Sequence, residues 1–342
     1  LLPSTAPEVP TPAPTEAPVI PAEELVEEVA QDSALPVVLW QMPTSWPVFL
    51  STIFGGANTF VQRVAAMTGG KFLITPRPAG ELVGGLEVLG AITANDAPIG
   101  HTAGYYYLGS GSATIFGTGV PFGLNAQQQN SWLYESGGLQ LMQDYYADRF
   151  NAIVFPGGNT GAQMGGWFRQ EINRVRDLRG LRMRIPGLGG LVMTRLGVEV
   201  VSLPAGEIGA ALQADEINAA EFIGPYDDER LGLADSADFY YTPGWWEPGS
   251  TLDIPINLDE WNALPEAYQE IVKTAAFEAN TRMLARYDAL NNEALQRLIA
   301  NGTQLRRFSP EILAAAEDES FALLNEFASD DSDFHPIFQD WS

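Results

Sequence analysis

Strand-like and helix-like runs alternate along this chain, in two separate stretches. Parallel strands need a crossover, usually a helix, so the pattern demands an α/β fold with largely parallel sheets. The first stretch opens with the apolar run 36–40, bounded by proline. Residues 51–68 place Phe54, Ala57, Val61, Val64, Ala65 and Met67 at helical spacing, and Gly69-Gly70 ends that helix. A strand is expected at 71–77, a helix near 84–94, a buried strand near 97–102 and an aromatic segment at 104–107. The second stretch begins near 152–156. Residues 181–185 alternate strictly, with Leu181, Met183 and Ile185 on one face and Arg182 and Arg184 on the other. Helices are expected at 187–196 and 206–213, and a short strand at 219–223. The pattern over 260–301 is strongly helical, broken by Pro265 and closed by Asn301-Gly302. A last helix starts with Ser309 as N-cap and Pro310 at its first position. The final twelve residues are acidic and aromatic and receive no element.

Composition narrows the chemistry. The 342 residues include no Cys, which removes disulfides, thiolate nucleophiles and Cys-ligated metal centres. Two His leave little room for a multi-His metal site. Forty-three acids against 18 bases give a net charge of −25, and only Lys71 and Lys273 are lysines. Such a field repels nucleic acid and anionic lipid, although one Arg in a closed pocket still accommodates an anion. No run approaches the ~18 apolar residues needed to span a membrane. Residues 1–36 hold eight Pro, seven acids and no Lys or Arg, and read as an extended leader with a short frayed helix at 22–31. Together with a start at Leu1 in place of Met, this suggests the tether of a processed, exported lipoprotein.

Neither a phosphate loop nor a nucleophile elbow is present. Gly187-Leu-Gly-Gly190 lacks dinucleotide spacing and suits a turn. His101 has no local nucleophile or carboxylate partner and reads as structural, and His335 lies in the C-terminal tail. The informative stretch is 155–186. Dense glycine there permits close backbone approach, and Asn159 and Gln163 are neutral amides able to point oxygens into a cleft. Arg184 ends its strand before Pro186-Gly187, a placement suited to a small carboxylate, or to a structural ion pair.

Several motifs together resemble the solute-binding proteins of TRAP transporters. They are Thr44-Ser-Trp-Pro47, Ala79-Gly-Glu-Leu-Val83, Gly100-His-Thr-Ala103 with Tyr105-Tyr106, and Asn159-Thr-Gly-Ala-Gln-Met-Gly-Gly-Trp-Phe-Arg169. Leu181-Arg-Met-Arg-Ile185, Ala219-Ala-Glu221, Gly224-Pro-Tyr-Asp-Asp228 and Pro243-Gly-Trp-Trp-Glu-Pro-Gly249 complete the set, which covers residues 37–315. The branch it resembles binds 2-oxo and hydroxy acids. The resemblance implies two α/β domains with a hinge cleft and a long crossing helix. It implies that Arg184 binds the ligand carboxylate and that a cation, Na⁺ or Ca²⁺, bridges ligand and protein. Gln163, Glu221 and the backbone carbonyl of Phe222 match the cation positions, where the family usually has Trp at 222. Glu247, Tyr105 and Tyr106 are further candidates for the same site, while Asp227, Asp228 and Glu229 read as structural acids at the cleft rim.

The resulting expectation is an extracytoplasmic binding protein without catalytic activity, serving TRAP membrane subunits. It captures a small organic monocarboxylate and closes by hinge motion. The division expected is 1–36 as leader, 37–155 with 249–315 as one domain, 156–248 as the other, and 316–342 as an acidic aromatic extension. The helix at 266–300 offers a surface for a homodimer, though a monomer fits equally. Two alternatives stay open: a metal-assisted enzyme using Glu221 and Glu247, and the binding component of a sensor system.

Overall fold

The computed structural model describes residues 35–342; the frayed helix expected at 22–31 and the rest of the leader to residue 34 lie outside the described residues. Two β-layers organise the chain. In the first, β1 (Val38–Pro43) pairs in parallel with β2 (Phe72–Arg77), and the helix Ile53–Met67 makes the crossover. Gly69 and Gly70, both at positive φ, end that helix as expected. Strand β3 (Ala152–Asn159) pairs antiparallel with β9 (Thr251–Asn257). The buried strand expected near 97–102 joins these pairs through single bridges. His101 N–H donates to Pro43 O at 3.1 Å, Gly100 N–H to Pro255 O at 2.8 Å and Thr102 N–H to Asp253 O at 2.9 Å. Pro98 and Pro255 carry no N–H, so a continuous ladder cannot form there.

The second layer has six strands in the order β10-β8-β4-β7-β5-β6. They are β4 (Trp167–Phe168), β5 (Arg182–Arg184), β6 (Glu199–Val201), β7 (Ala219–Ala220), β8 (Phe239–Thr242) and β10 (Gln304–Arg307). Four of the seven strand pairings among the described residues are parallel. The antiparallel ones have a topological cause. Strand β3 leads the chain out of the first layer and β9 brings it back, so the two run in opposite directions, and β4 enters the second layer against its neighbours. Strand β10 pairs with β8, which puts 304–307 in the second layer although they follow the long helix.

That helix, Glu266–Ala300, packs on Ile53–Met67, on β3 and on the short helix Pro225–Arg230. At ~1.5 Å per residue its 35 residues reach roughly 50 Å, enough to touch both layers. Close approach explains the glycines beneath it. A Cβ on Gly158 would lie 2.6 Å from Met283 Cε, and one on Gly56 would run into the same atom. The last helices differ from expectation. Pro310–Asp330 is capped by the Ser309 hydroxyl as foreseen, but the last residues also fold, into the helix Phe334–Trp341. Phe334, Ile337 and Trp341 fall at helical spacing and are buried, with Phe334 and Trp341 against Phe116. Trp132 Nε1 donates to Asp340 at 2.8 Å. The acidic C-terminal segment is thus part of the core. Among the described residues no helix is long and apolar enough to cross a membrane.

Candidate functional site

Strand β5 sets the position of Arg184. Its alternation buries Leu181, Met183 and Ile185, but the opposite face is covered too, leaving Arg184 only 1% exposed. The parallel register of β5 and β7 places Arg184 beside Ala220, and Glu221 N–H donates to Arg184 O at 3.1 Å. Arg184 Nη1 then donates to the Glu221 main-chain oxygen at 2.9 Å and to Glu221 Oε1, while Nε donates to Leu203 O at 3.1 Å. Nη2 has no hydrogen-bond acceptor in the protein. The Phe222 ring centre lies 5.7 Å from the guanidinium carbon. Gly187 has φ +63°, and a Cβ there would stand 2.9 Å from Tyr105 Cβ, so glycine lets the turn after β5 meet the aromatic turn 104–107.

Gln163 comes from the loop after β3. Its Nε2 donates to Thr160 Oγ1 at 3.2 Å and Ser250 Oγ at 3.3 Å, and its Oε1 has no donor. Ser250 donates to Glu247 Oε2 at 2.8 Å. The loops carrying Gln163 and Glu247 touch because residue 244 is glycine: a Cβ there would lie 2.6 Å from the carbonyl oxygens of Gln163 and Met164. Tyr105 and Tyr106 pack edge to face, centroids 4.9 Å apart. Burial and the nearby Glu247 hold the Tyr105 phenol well above its usual range. Burial pushes Tyr106 up to about 12, with Arg184 pulling the other way. Arg184, Gln163, Glu221, Phe222, Glu247, Tyr105 and Tyr106 therefore converge.

Asn159, read from sequence as a cleft amide, is used elsewhere. Its Nδ2 donates to Thr251 Oγ1 at 3.1 Å and its Oδ1 accepts from Gly161 N–H at 2.8 Å, so it braces the loop that presents Gln163. His101 is structural as foreseen. Trp46 Nε1 donates to its Nδ1 at 2.7 Å, its Nε2 lies 3.2 Å from Gly157 O, and burial lowers it to about 4. Ser250 was not singled out from sequence. It follows the motif ending at Gly249, and its role depends on a partner 87 residues away.

Charge decides what the site can hold. Arg184 stays protonated: burial is the largest single effect and opposes its charge, but Glu221, Tyr106, Tyr105 and Glu247 together outweigh it. Burial raises Glu221 well above the usual carboxylate range, and Glu247 and Asp228 add repulsion against the pull of Arg184. Burial likewise lifts Glu247 to about 7. Two buried acids thus face one base. The unpartnered Gln163 oxygen beside them completes an all-oxygen donor set that fits a hard cation. Among the described residues no cluster of three or more Asp, Glu or His stands ready for a metal, so such an ion needs amide and carbonyl oxygens besides the acids.

Comparison with known proteins bears on this geometry. The family model for bacterial extracellular solute-binding protein family 7 matches residues 48–331. The monocarboxylate 2-oxoacid-binding periplasmic protein of Nostoc sp. (strain PCC 7120) is 59% identical over 309 residues, 90% of this chain and 84% of that protein. A TRAP transporter solute-binding protein from Bordetella bronchiseptica, a mixed-occupancy dimer with copurified calcium and picolinate, has a TM-score of 0.88 at 43% identity, over 90% of this chain and 91% of that one. One from Colwellia psychrerythraea with bound calcium and pyruvate has a TM-score of 0.85 at 34% identity, over 89% and 93%. A third, from Pseudoalteromonas atlantica with sodium and pyruvate, has the same score and identity, over 89% and 92%. These relatives are binding proteins of transport systems, which sets aside the enzyme reading. With their two-domain α/β fold, this chain belongs to the bacterial extracellular solute-binding proteins of family 7, the solute-binding proteins of TRAP transporters.

Proposed function

We propose that this chain captures a small 2-oxo or 2-hydroxy monocarboxylate together with Na⁺ or Ca²⁺ and delivers it to TRAP membrane subunits. One observation carries the reading. In a single buried cluster the donor Arg184 Nη2 and the acceptor Gln163 Oε1 are both unused, while two acids face one base. A ligand carboxylate matches the spare guanidinium N–H, and such charge-assisted bonds contribute ~1.5–3 kcal/mol each. Gln163, Glu221, the Phe222 carbonyl and Glu247 would hold the cation, whose charge offsets the second acid. Pyruvate and picolinate, found in relatives, share a carboxylate next to a lone-pair donor atom, the arrangement that lets one ligand also engage the cation. Phe222 in place of Trp keeps the carbonyl and loses the indole donor, which bears on ligand choice more than on the cation.

Loading requires motion, because Arg184, Glu221, Gln163 and Glu247 are at most 5% exposed. The moving bodies we infer are 37–155 with 249–303, and 156–248 with 304–308. Extracytoplasmic location follows the family, with the proline-rich leader as a membrane tether. The exposed Phe277 of the long helix marks the face for a homodimer, the assembly of the Bordetella relative.

Isothermal titration with pyruvate, with Ca²⁺ and after chelation, tests the reading. Binding should need the cation and vanish in Arg184→Ala. Binding that survives both chelation and Arg184→Ala would refute the carboxylate–cation site.

A further inference from the structure

The helix Pro225–Arg230 follows directly on the segment 219–224, strand β7 and the turn after it, which presents Glu221 and Phe222, and it is clasped on two sides. Toward its own sheet, Asp228 accepts from Trp167 Nε1 at 3.0 Å, Tyr240 Oη at 2.7 Å and Ile223 N–H at 3.3 Å. Toward the long helix there are three links within about three turns. Tyr287 Oη donates to Asp227 Oδ2 at 2.5 Å, Tyr226 N–H donates to Asn291 Oδ1 at 3.1 Å, and Arg297 donates to Glu229 at 2.9 and 2.6 Å. The links are unequal. Arg297–Glu229 is exposed, and the Tyr226 link is neutral. Asp227 is 0% exposed, and its Oδ1 has no donor. A buried carboxylate with one oxygen unsolvated is costly when charged and much less so when protonated.

We propose that Asp227 is a positioning residue for the solute site: through Tyr287 it fastens the segment 219–224 to the long helix, and losing its proton loosens the clasp because the buried charge costs more than its stronger bond from the phenol returns. The groups facing it are few. From the long helix come the Tyr287 phenol and Arg286, and from its own helix come Asp228 and Arg230, whose guanidinium stacks 3.4 Å from the Tyr226 ring. The two arginines favour the charged form and Asp228 opposes it. Burial is the largest effect and lifts Asp227 to about 7. The sign follows. The proton is held below that value, so the grip is firm in acid and weakens as pH rises through about 7. No hydrogen bond or ion pair among the described residues joins Asp227 to Glu221 or Phe222, so the effect reaches them through the backbone of 223–226. This inference does not depend on which solute binds.

Hydrogen exchange of the full chain at about pH 5.5 and about pH 8.5, each rate divided by its intrinsic value, tests it without any solute. In the wild type, protection over 219–224 should fall about tenfold from the lower to the higher pH. Asp227→Asn still accepts from Tyr287 but cannot ionise, so its protection should fall much less than the wild type's, the remainder coming from Asp228, which burial lifts to about 6. Tyr287→Phe should lower protection at both pH values. A flat wild-type profile, or Asp227→Asn falling in parallel with wild type, overturns the proposal. Equal loss in the helix Ala126–Glu135 also overturns it, because the loosening would then be general. Should Asp227→Asn not fold, the carboxyl-carbon NMR titration of Asp227 decides. A midpoint near 7 that rises in Tyr287→Phe supports the proposal, and a midpoint in the ordinary acid range refutes it.

Discussion

Arg184→Met keeps most of the side-chain volume and removes the charge. The wild-type guanidinium makes three hydrogen bonds, to Leu203 O, Glu221 O and the Glu221 carboxylate, and both charged residues are 1% exposed. Breaking a buried pair from one side leaves an uncompensated charge, which costs ~3–5 kcal/mol. At ~2 °C per kcal/mol for a chain of this size, the ligand-free Tm should drop by roughly 6–10 °C. The cost depends on pH, with a definite sign. Glu221 already sits above its ordinary 4.5, and losing Arg184 moves it further up. A carboxyl with a raised pKa costs nothing below its unfolded value and progressively more as pH climbs toward the folded one. The deficit should therefore be smallest near the ordinary 4.5 and grow toward alkaline pH. Arg184→Met with Glu221→Gln removes both charges and should recover most of the stability, while solute binding stays lost. Urea unfolding in chelator, without solute, avoids stabilisation by mass action. A single variant within ~1 kcal/mol of wild type at about pH 8, or a double variant no more stable than the single, would refute the reasoning.

Two further predictions are independent of that pair. Burial lifts Glu247 to about 7, so a cation that needs it ionised must displace a proton. Calcium affinity by titration should then fall as pH drops through about 7 and depend less on pH in Glu247→Gln, where only Glu221 still exchanges a proton; a wild-type affinity constant across that range would remove Glu247 from the cation site. Deleting residues 333–342 unburies Phe334, Ile337 and Trp341, at ~1.5–3 kcal/mol each before recovered chain entropy. Thermal unfolding should show a Tm lowered by several degrees, and a shift within ~1 °C would mean the terminal helix adds nothing to the core.

Local rules were legible in the sequence wherever the cause is local. The glycines after Met67, the Ser309 cap, the break at Pro265 and the alternation of 181–185 each act within a few residues, and each appears as expected. The helix Phe334–Trp341 also had its signal, in Phe334, Ile337 and Trp341, but the surrounding acids obscured it. What sequence could not supply was the identity of distant neighbours. Alternation alone leaves Arg184 facing outward; the residues that bury it arrive from the turn at 104–107 and from 203 and 219–222. Asn159 and Gln163 look alike as amides among glycines. The Gly161 N–H occupies the Asn159 oxygen and Thr251, 92 residues on, takes its Nδ2, whereas Gln163 Oε1 is left without a donor.

That difference sharpens the functional argument. In a cleft this dry, each unpaired polar atom costs free energy, so the closed state is favourable only if a ligand satisfies what the protein leaves open. A carboxylate alone would satisfy Arg184 Nη2 and leave two acids against one base and one ligand anion. A cation alone would satisfy Gln163 and the acids but leave the guanidinium N–H unused. Only the two together use both free atoms, and with Ca²⁺ the charges balance as well, two acids and the solute carboxylate against the guanidinium and a divalent ion. Closure should consequently be strongly favoured by solute and cation jointly and weakly by either one, which is the differential affinity a hinge needs to act as a switch.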